Sequence, residues 1–199
     1  MAIYQIQKLS KIELKVIKGI IAEAFVPNEL FHNWGSEKLR HEDVIKYMDA
    51  YVDYVYKSKQ LYANDALIGF IGIEDSRHPH KFRKLGMLVK MIFKIKWSRL
   101  KKILNYANEI SASNQKYNKK PHLECAMLCV KTDYQGMGYA SELIEFALHY
   151  AKKENIPMLF DTDVKRYKEM YEHFGIVCYN QVRAKNGVTR YSLVYKDFD

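Results

Sequence analysis

The sequence predicts an α+β fold, layered like an α/β sandwich, in which helices flank a central mixed, mostly antiparallel sheet of about seven strands. Apolar segments of strand length recur along the chain, and segments with helical apolar spacing alternate with them. Two turn signals, Asn64-Asp65 and Asn186-Gly187, each join two such strands as a hairpin. Because no repeat or low-complexity linker interrupts this order, residues 1–199 are predicted to form one domain.

The first elements are a short strand and two helices. Alternation from Ile3 to Leu9 indicates the strand, and Ser10 with Glu13 forms a capping box, in which each side chain satisfies a free backbone donor at a helix start. Pro27 closes this first helix, and the second is predicted from His41 to Tyr56. The apolar stripes of the two helices are Ile17, Ile20, Ile21 and Ala24, then Val44, Met48, Tyr51, Val52 and Val55.

A hairpin and a strongly basic segment follow. The hairpin pairs Leu61 to Ala63 with Ala66 to Ile73. Residues 77–102, here called the basic segment, carry ten Lys or Arg and no acidic residue. The charge of this segment, +10, therefore exceeds the net charge of the whole chain, +9. Its apolar residues indicate a basic amphipathic helix or a lid, within an insertion at about 76–118.

A helix, a loop and a buried strand come next. The helical pattern runs from Trp97 to Ser111, and Leu123 to Val130 is a continuous apolar strand apart from Glu124. A turn over residues 131–139 then leads into an amphipathic helix. The intervening loop is signalled by Asn114, Asn118 and Pro121, and the apolar face of the last helix by Leu143, Ile144, Ala147 and Ala151.

The chain ends with a strand, a helix and a hairpin. Pro157 precedes the strand Met158 to Asp161, and the helix from Lys165 to Phe174 ends at Gly175, which suits a left-handed cap. The final two strands flank Asn186-Gly187.

Composition excludes several classes of protein. With 48% apolar and 14% aromatic residues, the 199-residue chain can bury a large core and is not a disordered sequence. The net charge of +9 predicts attraction for phosphate-bearing ligands, nucleic acid, acidic protein or anionic lipid, without choosing among them. The sequence predicts a cytoplasmic protein. Its three cysteines lack paired spacing, and it shows neither a secretory signal nor a membrane-spanning run.

The loop between the buried strand and the next helix is predicted to hold an anion. Gly136 and Gly138 let backbone N–H groups turn toward one point, and the helix start adds free donors and partial positive charge. A tight turn is the simpler explanation for two nearby glycines. Two other phosphate loops fail on spacing: Ser141 replaces the third glycine of the dinucleotide fingerprint, and the Gly-Lys-Ser/Thr of nucleotide-triphosphate loops is absent.

The pattern Q-x-x-G-x-A, given by Gln135, Gly138 and Ala140, is followed about thirty residues later by Tyr171-Glu-His-Phe-Gly175-Ile176. In this strand, loop and helix context, residues 122–194 resemble the GNAT superfamily of acetyl-CoA-dependent N-acetyltransferases. The resemblance implies a GNAT-like fold and acetyl-CoA as cosubstrate. Four positions depart from the family pattern: Thr132, Met137, Ile176 and Tyr167, the last of which stands where many members carry an Asn that contacts CoA.

The resemblance also implies roles for individual residues. Backbone N–H near Cys129 and Val130 would bind the acetyl carbonyl, and Tyr171 would protonate the departing sulfur; packing of a core aromatic is the alternative for Tyr171. The CoA pyrophosphate would lie on the loop residues Gln135, Gly136, Met137, Gly138, Tyr139, Ala140 and Ser141.

An amine acceptor needs a base, because an alkylammonium has a pKa near 10. Glu124 inside the fourth strand and Asp161 at the end of the fifth are the two candidates, ahead of Glu74 and Asp75 at the end of the third. Each is more simply a solvated or hydrogen-bonded strand residue, and catalysis through ordered water stays open.

Two further groups of residues indicate neither a catalytic nucleophile nor a metal site. Cys125 and Cys129 lie four apart on a strand and are expected to share a face, as small buried residues rather than nucleophiles. His78 and His80 lack a third ligand, so no metal is predicted.

The leading hypothesis is an N-acetyltransferase that acts on a small-molecule primary amine by direct attack. The alternative is an inactive module of the same fold that binds nucleic acid or an anionic membrane through the basic segment. The simpler explanation for that segment is a solvated helix face or part of a lid at the acceptor entrance, so nucleic acid is not the expected partner. A monomer or a homodimer is expected.

Overall fold

The computed structural model describes residues 2–111, 117 and 119–196, and the predicted loop residues Asn114 and Asn118 lie outside this part. Its seven strands are β1 Ile3–Gln5, β2 Leu61–Asn64, β3 Gly69–Asp75, β4 Leu123–Val130, β5 Met158–Thr162, β6 Val177–Arg183 and β7 Thr189–Tyr195. Its α-helices are α1 Lys11–Phe25, α2 Glu37–Lys57, α3 Lys81–Lys94, α4 Trp97–Ser111, α5 Tyr139–Glu154 and α6 Lys165–His173. A 3₁₀ helix, Glu29–Trp34, connects α1 to α2.

All seven strands join one sheet in the order β1-β2-β3-β4-β5-β7-β6. Every neighbouring pair is antiparallel except β4 and β5, which are parallel. The predicted mixed, mostly antiparallel sheet flanked by helices is therefore confirmed. Both predicted hairpins, β2–β3 and β6–β7, are present.

Two apolar cores form on the two faces of the sheet. One core joins α1 and α2 to Phe70, Met127 and Cys129, and we call this side the α2 face. The other joins α5 and α6 to Ile73 and Phe160, and we call it the α5 face. Strand side chains alternate between the two faces, which is why these strands read as nearly continuous apolar runs in the sequence.

The predicted capping box at the start of α1 is confirmed. The Ser10 side chain accepts from the backbone N–H of Glu13, and the Glu13 carboxylate accepts from the backbone N–H of Ser10 at 2.7 Å. Ile17 and Ile21 then point into the core. The cap fixes where α1 starts and so which of its residues face the sheet.

A bulge interrupts the pairing of β3 with β4. Gly72 pairs with Met127, but Ile73 pairs with Cys125, so Ala126 is the extra residue. The Tyr51 hydroxyl on α2 donates to the Ala126 carbonyl at 2.9 Å. A Cβ on Gly72 would lie 2.9 Å from the Met127 side chain, so only glycine lets α2 and β4 approach this closely.

The bulge changes the side-chain alternation along β4. Cys129 belongs to the core on the α2 face, whereas Cys125 packs against the core on the α5 face. The prediction that the two cysteines share a face is therefore wrong, because the extra Ala126 shifts the strand by one residue.

The parallel contact between β4 and β5 is short. Only Leu123 with Met158 and Glu124 with Leu159 are in register. β4 continues six residues further, to Val130, while β5 turns away to pair with β7. The sheet therefore has a gap that begins at the bulge and widens toward the end of β4.

The basic segment folds as two helices with different neighbours. α3 packs on α2, burying Met87 and Met91, and Lys94 binds Asp49 at 3.0 Å. α4 lies against the 3₁₀ helix and the β6–β7 hairpin: the Trp34 indole donates to the carbonyl of Arg99 at 3.0 Å. Thus α4 covers the α2 face of the sheet near β5 and β7, whereas α3 lies at the outside of the molecule.

Candidate active site

The gap between β4 and β5 exposes backbone groups of β4. The Lys131 N–H donates to the Ile68 carbonyl at 2.8 Å, which fixes the alternation of the antiparallel ladder. This alternation turns the N–H of Cys129 toward β3, and the N–H groups of Leu128 and Val130 toward the gap. Of the two residues predicted to bind an acetyl carbonyl, Val130 thus presents its N–H to the gap and Cys129 does not.

The predicted anion loop lies at the open end of this gap. Gly136 and Gly138 have φ values of 80° and 88°, in the left-handed region that favours glycine. No side chain caps the start of α5, so the first-turn N–H groups, including those of Tyr139 and Ala140, point into the loop. A Cβ at either glycine would meet open space, so a ligand can approach the backbone closely here.

Gln135 shapes the loop rather than reaching into it. Its side-chain amide donates to the Val130 carbonyl at 3.2 Å, which ties the loop to the end of β4. Met137 is exposed, while Tyr139, Ala140 and Ser141 are half-buried under the first turn of α5. The loop therefore offers backbone donors more than side chains.

A cleft of about 600 Å³ borders the loop on the α2 face. It separates the end of α1 and the start of α2 from the segment after β4. Its lining residues are Glu23, Val26, Pro27, Glu37, Lys38, His41, Thr132 and Gln135. The cleft is large enough for part of an extended ligand whose anionic group lies on the loop.

Tyr171 lies on the α5 face, against the strands that border the gap. It is 7% exposed, and its ring lies 5.0 Å from that of Phe160. Burial, and then the nearby Cys125, Tyr167 and Asp161, raise the pKa of Tyr171 well above its usual value. The hydroxyl is therefore protonated at neutral pH and can donate a hydrogen bond.

Glu124 lies on the α2 face, at the point where β4 and β5 separate. It is paired with Glu74 on β3 and Leu159 on β5. Burial, with added repulsion from Asp161 and Glu74, raises the pKa of Glu124 to about 7, and Lys84 opposes this shift. A carboxyl group with this pKa can accept a proton near neutral pH and release it again.

Asp161, the second predicted base, is held by an arginine. Arg190 lies 3.5 Å from its carboxylate and binds Asp163 through two nitrogens at 2.6 and 3.0 Å. Asp161 is therefore paired with a guanidinium, whereas Glu124 lies near the carboxylates of Asp161 and Glu74.

Aromatic side chains surround Glu124, and the sequence analysis did not predict them as site residues. Tyr51 and Tyr54 project from α2 and Tyr179 from β6, and burial, with contributions from nearby carboxylates, raises the pKa of all three. Tyr51 and Tyr54 could have been found, because they lie one helical turn apart among apolar residues. Tyr179 depends on the pairing of β6 with β7, which local sequence does not reveal.

A second cleft, of about 330 Å³, opens toward the same side of the sheet. It lies between the 3₁₀ helix and the β6–β7 hairpin. Asp163 lines it, and the Tyr106 hydroxyl on α4 donates to the same carboxylate. The cleft therefore exposes the region around Asp163, the carboxylate that Arg190 binds, to solvent.

The cysteines and histidines do not form an alternative site in the part of the chain that the structure describes. Burial raises the pKa of Cys129 to about 12, and the pKa of Cys125 is also strongly raised, so both are protonated and poor nucleophiles. Among residues 2–111, 117 and 119–196, no three His, Cys, Asp or Glu side chains cluster as a metal site would require. Nor does any helix described there have the length and apolar character to cross a membrane.

Comparison with known proteins identifies a family. The model of the Acetyltransferase (GNAT) family matches residues 25–176, more than half of the chain. No curated protein matches the sequence significantly.

Solved structures resemble this fold along nearly its whole length. Arylalkylamine N-acetyltransferase 2 from Aedes aegypti has a TM-score of 0.62 at 13% identity, covering 100% of this chain and 99% of its own. A histone acetyltransferase HPA2 and related acetyltransferase from Corynebacterium glutamicum has a TM-score of 0.61 at 12% identity, covering 96% of this chain and 93% of its own. An agmatine N-acetyltransferase has a TM-score of 0.60 at 11% identity, covering 97% and 98%. At these identities the similarity establishes the fold alone.

The raised pKa of the half-buried Glu124 leads to a prediction about stability. Because its pKa is about 7 in the folded chain and near 4.5 when unfolded, the folded state binds the proton more tightly. The stability contributed by the protonated group is present below about pH 4.5 and is lost as the pH rises through about 7. The free energy of unfolding of Glu124→Gln should therefore exceed that of the wild type. The difference should grow with pH and reach about 3 kcal/mol at pH 8.

Urea unfolding at pH 5, 7 and 8 measures this difference. The matched control is Glu145→Gln, which removes an exposed carboxylate on α5 and should follow the wild type at every pH. Parallel profiles for Glu124→Gln and the wild type would contradict the raised pKa.

Proposed function

The chain belongs to the GNAT acetyltransferase family, whose model matches residues 25–176, and we propose that it transfers an acetyl group from acetyl-CoA to the primary amine of a small molecule. The observation that carries this proposal is the gap between β4 and β5. The anion loop lies at its open end, Glu124 lies on one face of the sheet and Tyr171 lies on the other. Residues 1–199 would act as one transferase domain.

Acetyl-CoA fits the donor groups at the gap. Its pyrophosphate would accept hydrogen bonds from the backbone of Gly136 through Ser141, where α5 has no side-chain cap. Its acyl arm would run along the edge of β4, where Val130 and Leu128 turn their N–H groups outward. When bound there, acetyl-CoA would supply an activated thioester.

Glu124 is the proposed general base. An amine arrives mostly as an ammonium ion, with a pKa near 10, and must lose a proton before direct attack. Glu124 would accept this proton, directly or through one water molecule, because its raised pKa suits proton transfer near neutral pH. Asp161, which Arg190 contacts, would contribute to binding the cationic amine.

Tyr171 is the proposed general acid. The new C–N bond forms as the C–S bond breaks, and the departing thiolate needs a proton. The Tyr171 hydroxyl is protonated and lies on the face opposite Glu124. The base and the acid would thus act from opposite faces of the gap, with the Val130 N–H stabilising the developing oxyanion between them.

A cationic amine is the acceptor class that the α2 face favours. Glu74, Glu124 and Asp161 supply negative charge, and Tyr51, Tyr54 and Tyr179 supply aromatic rings. Two structures of the same fold are an agmatine N-acetyltransferase and an arylalkylamine N-acetyltransferase. Three free cysteines suit a reducing compartment such as the cytoplasm.

CoA should raise the melting temperature of the protein. Because the ligand binds the folded state, a CoA concentration 100 times its Kd should stabilise the protein by about 2.7 kcal/mol. Gly138→Val should abolish the shift, since the left-handed loop would change. Thermal melting with and without millimolar CoA checks this.

Gly187→Val provides the matched control for backbone strain. Gly187 has nearly the same φ, 87°, but lies in the β6–β7 hairpin, so the CoA shift should persist in that variant. Absence of a shift in the wild type, supported by calorimetry without binding heat, would contradict the assignment of the loop.

Tyr171→Phe should slow the reaction without weakening CoA binding. The variant keeps the ring and its packing but removes the proton donor, so kcat should fall by roughly 10²- to 10⁴-fold. Steady-state turnover of a primary amine and thermal melting are measured on one preparation.

Tyr150→Phe is the matched control, because Tyr150 is a half-buried tyrosine of α5 that packs near Tyr62, away from the gap. Its kcat should equal that of the wild type. An unchanged kcat in Tyr171→Phe would show that Tyr171 serves only in packing.

A further inference from the structure

Helix α3 exposes an apolar face to solvent, and we propose that this face docks the protein on an anionic lipid surface. The proposal concerns where the protein acts and is independent of the proposed acetyl transfer. It rests on the orientation of α3 and on the charge around it.

Six apolar residues of α3 point away from the protein. Phe82 is 91% exposed and Phe93 is 84% exposed, values that are unusual for phenylalanine in a folded domain. Four more apolar side chains are exposed on the same helix: Leu85, Leu88, Val89 and Ile92. At 100° per residue, these six positions occupy one continuous arc.

The opposite side of the helix attaches α3 to the protein. Met87 and Met91 are buried against α2, roughly 150° around the helix from the centre of the exposed arc. Lys90 and Lys94 flank this buried side and bind Asp49 on α2 at 3.1 and 3.0 Å. The helix is therefore fixed by one edge and presents its apolar face outward. Its length of about 21 Å makes this face an extended surface.

The charge around the apolar face identifies the partner. The basic segment has ten basic and no acidic residues. Lys81, Arg83 and Lys84 on the first turn of α3, and Lys96 and Lys101 after its end, are all exposed. An apolar arc bordered by Lys and Arg on a short amphipathic helix is the pattern of a helix that lies in the interface of an anionic bilayer.

Other occupants fit this surface less well. A second copy of the chain would bring the exposed Lys81, Arg83 and Lys84 of two α3 helices close together, which opposes self-association. A nucleic acid would neutralise the lysines but would leave two phenylalanines and their aliphatic neighbours exposed to water. A lipid surface satisfies both, since headgroups neutralise the charge and acyl chains bury the rings.

Vesicle flotation tests the proposal with the full chain. The vesicles contain phosphatidylglycerol and phosphatidylcholine at about 3:7 anionic to neutral lipid. The protein should float with these vesicles and should not float with vesicles of pure phosphatidylcholine. The reason is that each basic residue near an anionic surface increases partitioning about fivefold. Binding should weaken as salt is raised from about 0.05 to 0.5 M, where screening shortens the range of the attraction.

Phe82→Ser with Phe93→Ser should reduce partitioning by about tenfold for each ring, through the lost apolar burial. The matched control is Ile12→Ser with Val16→Ser, which removes two exposed apolar side chains from α1 and should leave partitioning unchanged. Equal melting temperatures for all variants would show that folding is retained. These positions lie outside the proposed catalytic groups.

Three results would overturn the proposal. The first is no flotation with anionic vesicles at low salt, and the second is equal partitioning of the Phe82/Phe93 variant and the wild type. The third is binding to duplex DNA or to an acidic protein that is stronger than binding to anionic vesicles and is lost in the Phe82/Phe93 variant. A concentration-dependent dimer that the Phe82/Phe93 variant abolishes, without vesicle binding, would assign the face to self-association instead.

Discussion

The extra residue in β4 at the bulge, Ala126, determines how the rest of the site is arranged. Ala126 has no counterpart on β3, and its carbonyl is held by the Tyr51 hydroxyl from α2. Beyond this point β4 no longer pairs with β5, so its outward N–H groups face a gap instead of a strand. The same shift sends Cys125 and Cys129 to opposite faces. Gly72 is required beside the bulge because a side chain there would overlap Met127.

The gap divides the ionisable groups between two environments. On the α2 face, Glu124 is half-buried beside other carboxylates and has a raised pKa, whereas Arg190 binds the neighbouring Asp161 and Asp163. On the α5 face, Tyr171 is buried and protonated. In the proposed mechanism, Glu124 would accept a proton and Tyr171 would donate one from opposite sides of the backbone edge of β4, whose outward N–H groups would bind the oxyanion.

Much of the fold could be predicted from the sequence, because its signals are local. The capping box at Ser10, the turn at Asn186-Gly187 and the apolar periodicity of the helices each depend on a few adjacent residues. The bulge could not be predicted, since it depends on how β3 and β4 pair across the sequence, and local alternation gave the wrong face for one cysteine. The pairing of Asp161 with Arg190 likewise could not be predicted, because Arg190 lies far along the chain. The outward orientation of α3 was also hidden, since its apolar arc resembles a buried one in sequence.

The most direct test of this account is an amide NMR titration of the ¹⁵N-labelled protein with CoA. If the gap and the loop bind CoA, the backbone signals of Leu128, Val130, Gly136 and Gly138 should shift with one common Kd. Signals from α3, on the outside of the molecule, should stay in place. Shifts confined to other elements, with the β4 edge and the loop unchanged at saturating CoA, would contradict the claim that the split sheet is the cosubstrate site.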